Sequence, residues 1–192
     1  MRDSYDRGAE LIIKIFFSLA FLPIVLVGAA QAGPAGIISV AGAQSANLSA
    51  AAVGTADKTA THGLVSADKK TLTFRQRTVR LVARSGPAND MLSYRIEGLR
   101  NPTLMIPVGT TLKMLFINTD DDMTHNLRLT VEKIPFKGTL KSVGTANLPH
   151  KSSAGVHAQE LTLRMPMAGT YTYLCTVPGH APGGMFGTLI VR

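Results

Sequence analysis

The stretch "YLCTVPGHAPGGMFG", residues 173–187, holds the only cysteine of the chain, Cys175, with His180 and Met185 following at equal steps of five. The alternating run "GTYTY" leads into it and "GTLIVR" leaves it, so the segment reads as one connection between two strands. Pro178, Gly179, Pro182, Gly183 and Gly184 bend that connection tightly. A thiolate, an imidazole and a thioether on one loop form a soft donor set. Two histidines and a cysteine near one plane, with a distant methionine, suit a single copper ion cycling between Cu(I) and Cu(II). Zinc accepts the thiolate and imidazoles but gains little from the thioether. An inert buried cysteine beside a surface turn is the plainer reading, and it leaves the equal spacing unexplained.

Outward from this loop, the chain after Lys70 is a series of short alternating runs. "TVRLVAR" sets Val79, Leu81 and Ala83 on one face, "LSYRIEG" sets Leu92, Tyr94 and Ile96, and "TLMIPVGTTLKMLFIN" sets Leu112, Met114 and Phe116. "NLRLTVE" and "ELTLRMP" repeat the period of two, with Gly, Pro, Asn and Asp between runs. Seven or eight such strands predict an all-β fold, an antiparallel β-sandwich or barrel. Methionines 91, 105, 114, 165 and 167 fall in or beside strands, where core packing accounts for them.

The N-terminal third is different. Ile15 to Ala30 is apolar and no charge occurs between Lys14 and Asp57, so residues 1–32 read as a signal peptide or a membrane anchor. Ala30-Gln31-Ala32 offers a small-x-small cleavage pattern. Either reading puts the rest of the chain outside the cytoplasmic membrane, in the periplasm or anchored to the membrane's outer face. Residues 33–70 are rich in Ala, Gly, Ser and Thr and read as a linker or a loosely docked arm, leaving 71–192 as the folded domain. The formal net charge is +8, but the basic residues are scattered singly, which argues against nucleic acid and for an acidic or membrane-bound partner. One cysteine excludes an internal disulfide, a four-cysteine zinc site and a dinuclear centre with two bridging thiolates.

The loop needs a second histidine from elsewhere, and His62, His125, His150 and His157 are the candidates. His62 lies in the Ala/Gly-rich arm and His150 has no strand before it. His157 approaches a strand and competes with His125, which sits between two alternating runs in "FINTDDDMTHNLRL" and is favoured on that context. The run Asp120-Asp121-Asp122 reads as a solvated turn. Were it near the metal, its charge would favour the oxidised ion, and the potential would rise as pH falls through about 4.

"RNPTLMIPVGTTLKMLFINT", "GTYTYLC", "PGH" and "GMFG" together resemble the cupredoxin family, in particular its rusticyanin branch, over roughly Thr71 to Arg192. Sulfocyanins, which are membrane-anchored, share a similar loop spacing. The resemblance implies a Greek-key β-sandwich and a type 1 blue copper site, with His125, Cys175 and His180 as equatorial ligands and Met185 as the axial one. It also implies ferrous-iron respiration, with cytochrome c or a membrane-bound oxidase complex as redox partner to a monomeric carrier. Rusticyanin has a serine after its first histidine ligand, where this chain has Asn126, whose carboxamide can bond across to the ligand loop and steady the thiolate.

Such a site leaves no coordination position for a substrate, so the expectation is electron carriage without catalysis. Pro178, Ala181, Pro182 and Phe186, together with Met185, form an expected apolar collar for electron exit at the His180 edge. Copper storage without redox duty usually uses open Met/His-rich sites, and a copper oxidase or nitrite-reductase-type enzyme needs further histidine pairs such as His-x-His. The chain has neither pattern.

Overall fold

The structure is a computed structural model describing residues 31–32, 37–42, 45–135 and 140–192. The expected signal peptide or anchor, residues 1–32, lies outside these residues except for its last two. In chain order the elements are β1 (Gln31–Ala32), β2 (Ile38–Gly42), β3 (Ala46–Leu48), α1 (Ala50–Lys58), β4 (Leu64–Val65), β5 (Thr71–Thr73), β6 (Thr78–Ser85) and β7 (Tyr94–Ile96). There follow β8 (Leu99–Arg100), β9 (Thr103–Ile106), β10 (Thr110–Asn118), β11 (Arg128–Thr130), β12 (Val143–Gly144), β13 (Val156–Met165), β14 (Gly169–Leu174) and β15 (Phe186–Val191).

These strands form two sheets. One runs β1-β2-β13-β10-β6-β7-β8 with β3 also on β13, and the other runs β12-β11-β14-β15-β9-β5-β4. The alternating apolar residues face one another between them: Leu81, Leu112, Met114, Phe116 and Leu163 from the first sheet meet Leu72, Leu104, Tyr173 and Leu189 from the second. Each such large side chain contributes about 1.5–3 kcal/mol by leaving water. This is the expected β-sandwich, but its sheets are mixed, because β6–β10, β9–β15 and β5–β9 pair in parallel. Period-two burial is the same for either direction, so the alternation could not reveal it.

The alternation breaks in the second half of β10, where Leu115 and Ile117 on the outer face are buried as well. Here the Ala-rich segment comes back: α1, capped by Ser49 Oγ accepting from Ala52 N–H, lays Ala56 and Val53 over Val82, Leu115, Ile117 and Ala158. Within residues 33–70, β2 and β3 pair with β13, β4 pairs with β5, and Ile37 enters the main core. Among the described residues no helix is long and apolar enough to cross a membrane.

Candidate metal centre

All the long strands bring one end to the same pole. There β14 delivers Cys175, β15 begins just after Met185, and β10 ends at Asn118. The ligand loop is fixed by its own backbone. Cys175 N–H donates to Met185 C=O at 3.0 Å, Met185 N–H to His180 C=O at 2.9 Å and His180 N–H to Val177 C=O at 3.1 Å. Gly184, at φ +112°, takes a conformation that disfavours other residues, and its carbonyl accepts from Asn101 Nδ2 at 2.8 Å. His125 arrives from the β10–β11 connection, held by a two-bond bridge to the buried Leu148 at 3.1 and 2.8 Å. Asn118 Nδ2 donates to the carbonyls of Met123, Leu148 and Pro149, each at 2.9 Å, and so locks both arms of that connection.

The consequence is a triangle of donor atoms. Cys175 Sγ lies 3.5 Å from His180 Nδ1 and 4.0 Å from His125 Nδ1, and the two nitrogens are 3.1 Å apart. The circle through these three atoms has a radius of about 2.1 Å, close to the bond length of a first-row metal to imidazole nitrogen. Cys175 and His125 are fully buried and His180 is partly so. Met185 is fully buried and shares the core cluster with Cys175. His62 is exposed near Glu97, His150 is exposed, and His157 pairs with Asn47 along β13; none joins the triangle.

The surroundings tune these groups. Burial raises the Cys175 thiol pKa, opposed by the N–H groups of Asn126 and Val177; the Asn126 N–H reaches the sulfur at 3.5 Å. Burial lowers the His180 pKa, with the neighbouring His125 adding to it, so its ring favours the neutral, metal-binding form. The Asn126 carboxamide spans the two parts of the site, donating to Thr176 Oγ1 at 2.8 Å and Asn147 Oδ1 at 2.6 Å and accepting from Thr176 N–H at 2.9 Å.

The acidic run is not uniformly a solvated turn. Asp121 and Asp122 are exposed, but Asp120 is buried and its Oδ2 lies 3.0 Å from His125 Nε2. Its Oδ1 accepts from the N–H groups of Asp122 and Met123, both at 3.0 Å. Burial alone would raise its pKa, but these donors and His125 outweigh it and bring the pKa down to about 2. An ionised carboxylate can only accept, so Nε2 of neutral His125 carries the proton and Nδ1 turns its lone pair into the triangle. Of the expected exit collar, Pro178, Pro182 and Phe186 are exposed, whereas Ala181 is buried and backs the loop from within. Leu92, read in the sequence only as part of an alternating run, packs against the loop at Gly183.

The sequence profile of the plastocyanin/azurin family of copper-binding proteins matches residues 89–192. The chain belongs to this family. It is 36% identical over 129 residues to rusticyanin of Acidithiobacillus ferrooxidans, covering 64% of this chain and 81% of that one. It is 35% identical over 137 residues to rusticyanin of Acidithiobacillus ferridurans, covering 68% and 71%. A solved structure of rusticyanin from Thiobacillus ferrooxidans superposes with a TM-score of 0.69 at 32% identity, covering 78% of this chain and 97% of that one. The chain is therefore a rusticyanin-like cupredoxin: a blue copper electron-transfer protein and not an enzyme. Its His–Cys–His triangle fits one copper ion.

Proposed function

We propose that His125, Cys175, His180 and Met185 would hold the copper, and that the chain carries electrons outside the cytoplasmic membrane as a monomer. The observation that carries this reading is the donor triangle, whose size suits a metal and whose sulfur is single. Copper bound there supplies one-electron exchange between Cu(I) and Cu(II). The chain's own part is to hold the donors still, through the backbone bonds of the ligand loop and the Leu148 bridge, so that little rearranges when the charge changes. Burial keeps water from the thiolate, and Asn126 joins the two ligand-bearing segments.

The partly exposed His180 edge, between exposed Pro178, Pro182 and Phe186, is the proposed point of electron exit. A small apolar patch suits a transient redox encounter. We further propose a place in an iron-oxidising respiratory chain with cytochrome c or a membrane-bound oxidase complex as partner, a reading supported by the likeness to rusticyanins. The test is to load the protein with copper and record its spectrum. An intense visible band with narrow copper hyperfine splitting is expected, lost in Cys175→Ser; full colour in His125→Ala would overturn the ligand set. Reduction of the copper protein by ferrous iron with an iron-oxidising membrane fraction tests the respiratory placement separately.

A further inference from the structure

The pole opposite the donor triangle has its own chemistry. Three chain segments and the end of β15 meet there: the β5–β6 connection, the β9–β10 turn and the β13–β14 turn. They are tied by Gly109 N–H to Met165 C=O at 2.7 Å, Val108 N–H to Arg192 C=O at 3.2 Å and Thr111 N–H to Arg77 C=O at 2.8 Å. Val108 and Met167, two of the exposed large hydrophobics of the described residues, stand on the two turns at 37% and 55% exposure. Around them Arg75, Arg77, Arg164 and Arg192 are all exposed. Among the described residues no carboxylate pairs with any of these arginines, whereas Arg80, Arg84, Arg95 and Arg100 elsewhere each pair with an acid.

We propose that this pole is a docking surface for an anionic lipid bilayer. Guanidinium groups pair with lipid phosphates in a two-bonded fork, and exposed apolar side chains at turn tips enter the interfacial layer, so the combination suits a lipid surface better than a folded acidic protein. β10 spans the molecule from Thr110 at this pole to Asn118 beside the His125 bridge, roughly 30 Å for its nine residues. Docking here turns the copper end away from the lipid, a consequence that rests on the copper reading, although the docking itself does not.

The experiment is co-sedimentation of the full chain with vesicles of phosphatidylcholine alone or mixed with phosphatidylglycerol. The mixed vesicles should bind it more tightly, with the excess lost at high salt. The triple variant R75E/R77E/R164E should lose on the order of a hundredfold of that excess, about fivefold or more per arginine. The triple K58E/K69E/K70E, with the same net charge but altered away from the pole, should keep it. Glutamine at the three arginine positions should give an intermediate loss, and the visible copper spectrum of every variant reports that the domain is folded. Equal loss in both triple variants would overturn the proposal in favour of net charge alone. Equal binding of the unsubstituted chain to both vesicles would overturn it too.

Discussion

Replacing Asp120 by asparagine removes one negative charge behind His125 while keeping an oxygen that can accept the Nε2–H. The carboxylate oxygen is 3.0 Å from Nε2, and the imidazole ring separates that contact from the donor triangle. The charge therefore lies roughly 6–7 Å from the triangle's centre, and at an effective dielectric of about 20 it favours each added positive charge there by roughly 2–3 kcal/mol. The oxidised ion carries one positive charge more than the reduced one, so Asp120 favours oxidation. Its removal should raise the one-electron potential by about 100 mV, since 59 mV corresponds to about 1.4 kcal/mol. Voltammetry of wild type and Asp120→Asn at pH 6 is the assay, with the visible band showing that the ligand set is intact.

The pH dependence carries the same sign. With the carboxyl lowered to about 2, wild type should hold a flat potential from pH 7 down to about 4 as far as Asp120 is concerned, then rise as protonation cancels the charge. Asp120→Asn should lack that rise. The titration near pH 4 expected of an ordinary aspartate is thus displaced downward for this one residue. A shift below about 20 mV, or a lowered potential, would refute the argument that the carboxylate is ionised and electrically coupled to the metal.

Stability should follow Asp120 as well. Its folded pKa lies below the unfolded value, so its contribution is complete above pH 4 and disappears as pH falls towards 2; metal-free wild type should lose about 2 kcal/mol from this group in urea titrations, and Asp120→Asn should not. Asn126→Ala cuts the link between Thr176 and Asn147 and should lower stability by about 1–3 kcal/mol, with faster copper loss to a chelator and retained colour. Gly187→Ala would set a Cβ 2.2 Å from the Tyr173 ring, whose hydroxyl donates to Pro102 C=O at 2.6 Å; thermal melting should show a loss of about 1–3 kcal/mol or more. Because burial keeps the Cys175 thiol protonated without metal, copper uptake should release its proton, and apparent affinity should fall about tenfold for each unit drop in pH from 8 to 7.

The ligand loop was legible because its three donors lie within eleven residues and their softness speaks through identity alone. His125 was accessible through strand context, since a residue just past β10 must lie at the end of the sandwich where β14 also ends. Asp120 was not. Five residues from His125, in a run of three aspartates, it has the same composition as a solvated turn, and only the path of the chain buries the first while exposing the next two. Parallel pairing was hidden for a different reason, because alternation reports which face is buried and says nothing of a neighbour's direction. The Ala-rich α1 gave a weak periodic signal since small side chains make little contrast between faces. Its Ser49 cap went unread within the segment taken as a linker or docked arm.

The burial of Asp120 bears on how the site keeps its shape. Cys175, His180 and Met185 are bonded to one another through the loop backbone and move as one piece. His125 is the donor that belongs to another segment, and the triangle is only as rigid as the joint between them. Three of the contacts at that joint act separately: the Leu148 bridge fixes the backbone of His125, Asp120 fixes its ring, and the Asn126 side chain ties its segment to Thr176 on the loop side. Each acts on a different degree of freedom, namely position, ring orientation and the spacing of the two segments. Loss of the Asp120 contact alone should therefore change ring orientation and charge without opening the site, whereas loss of Asn126 should loosen the spacing while leaving the charge untouched. Potential and copper retention should then respond to different substitutions, a separation that a site held by the metal alone would not display.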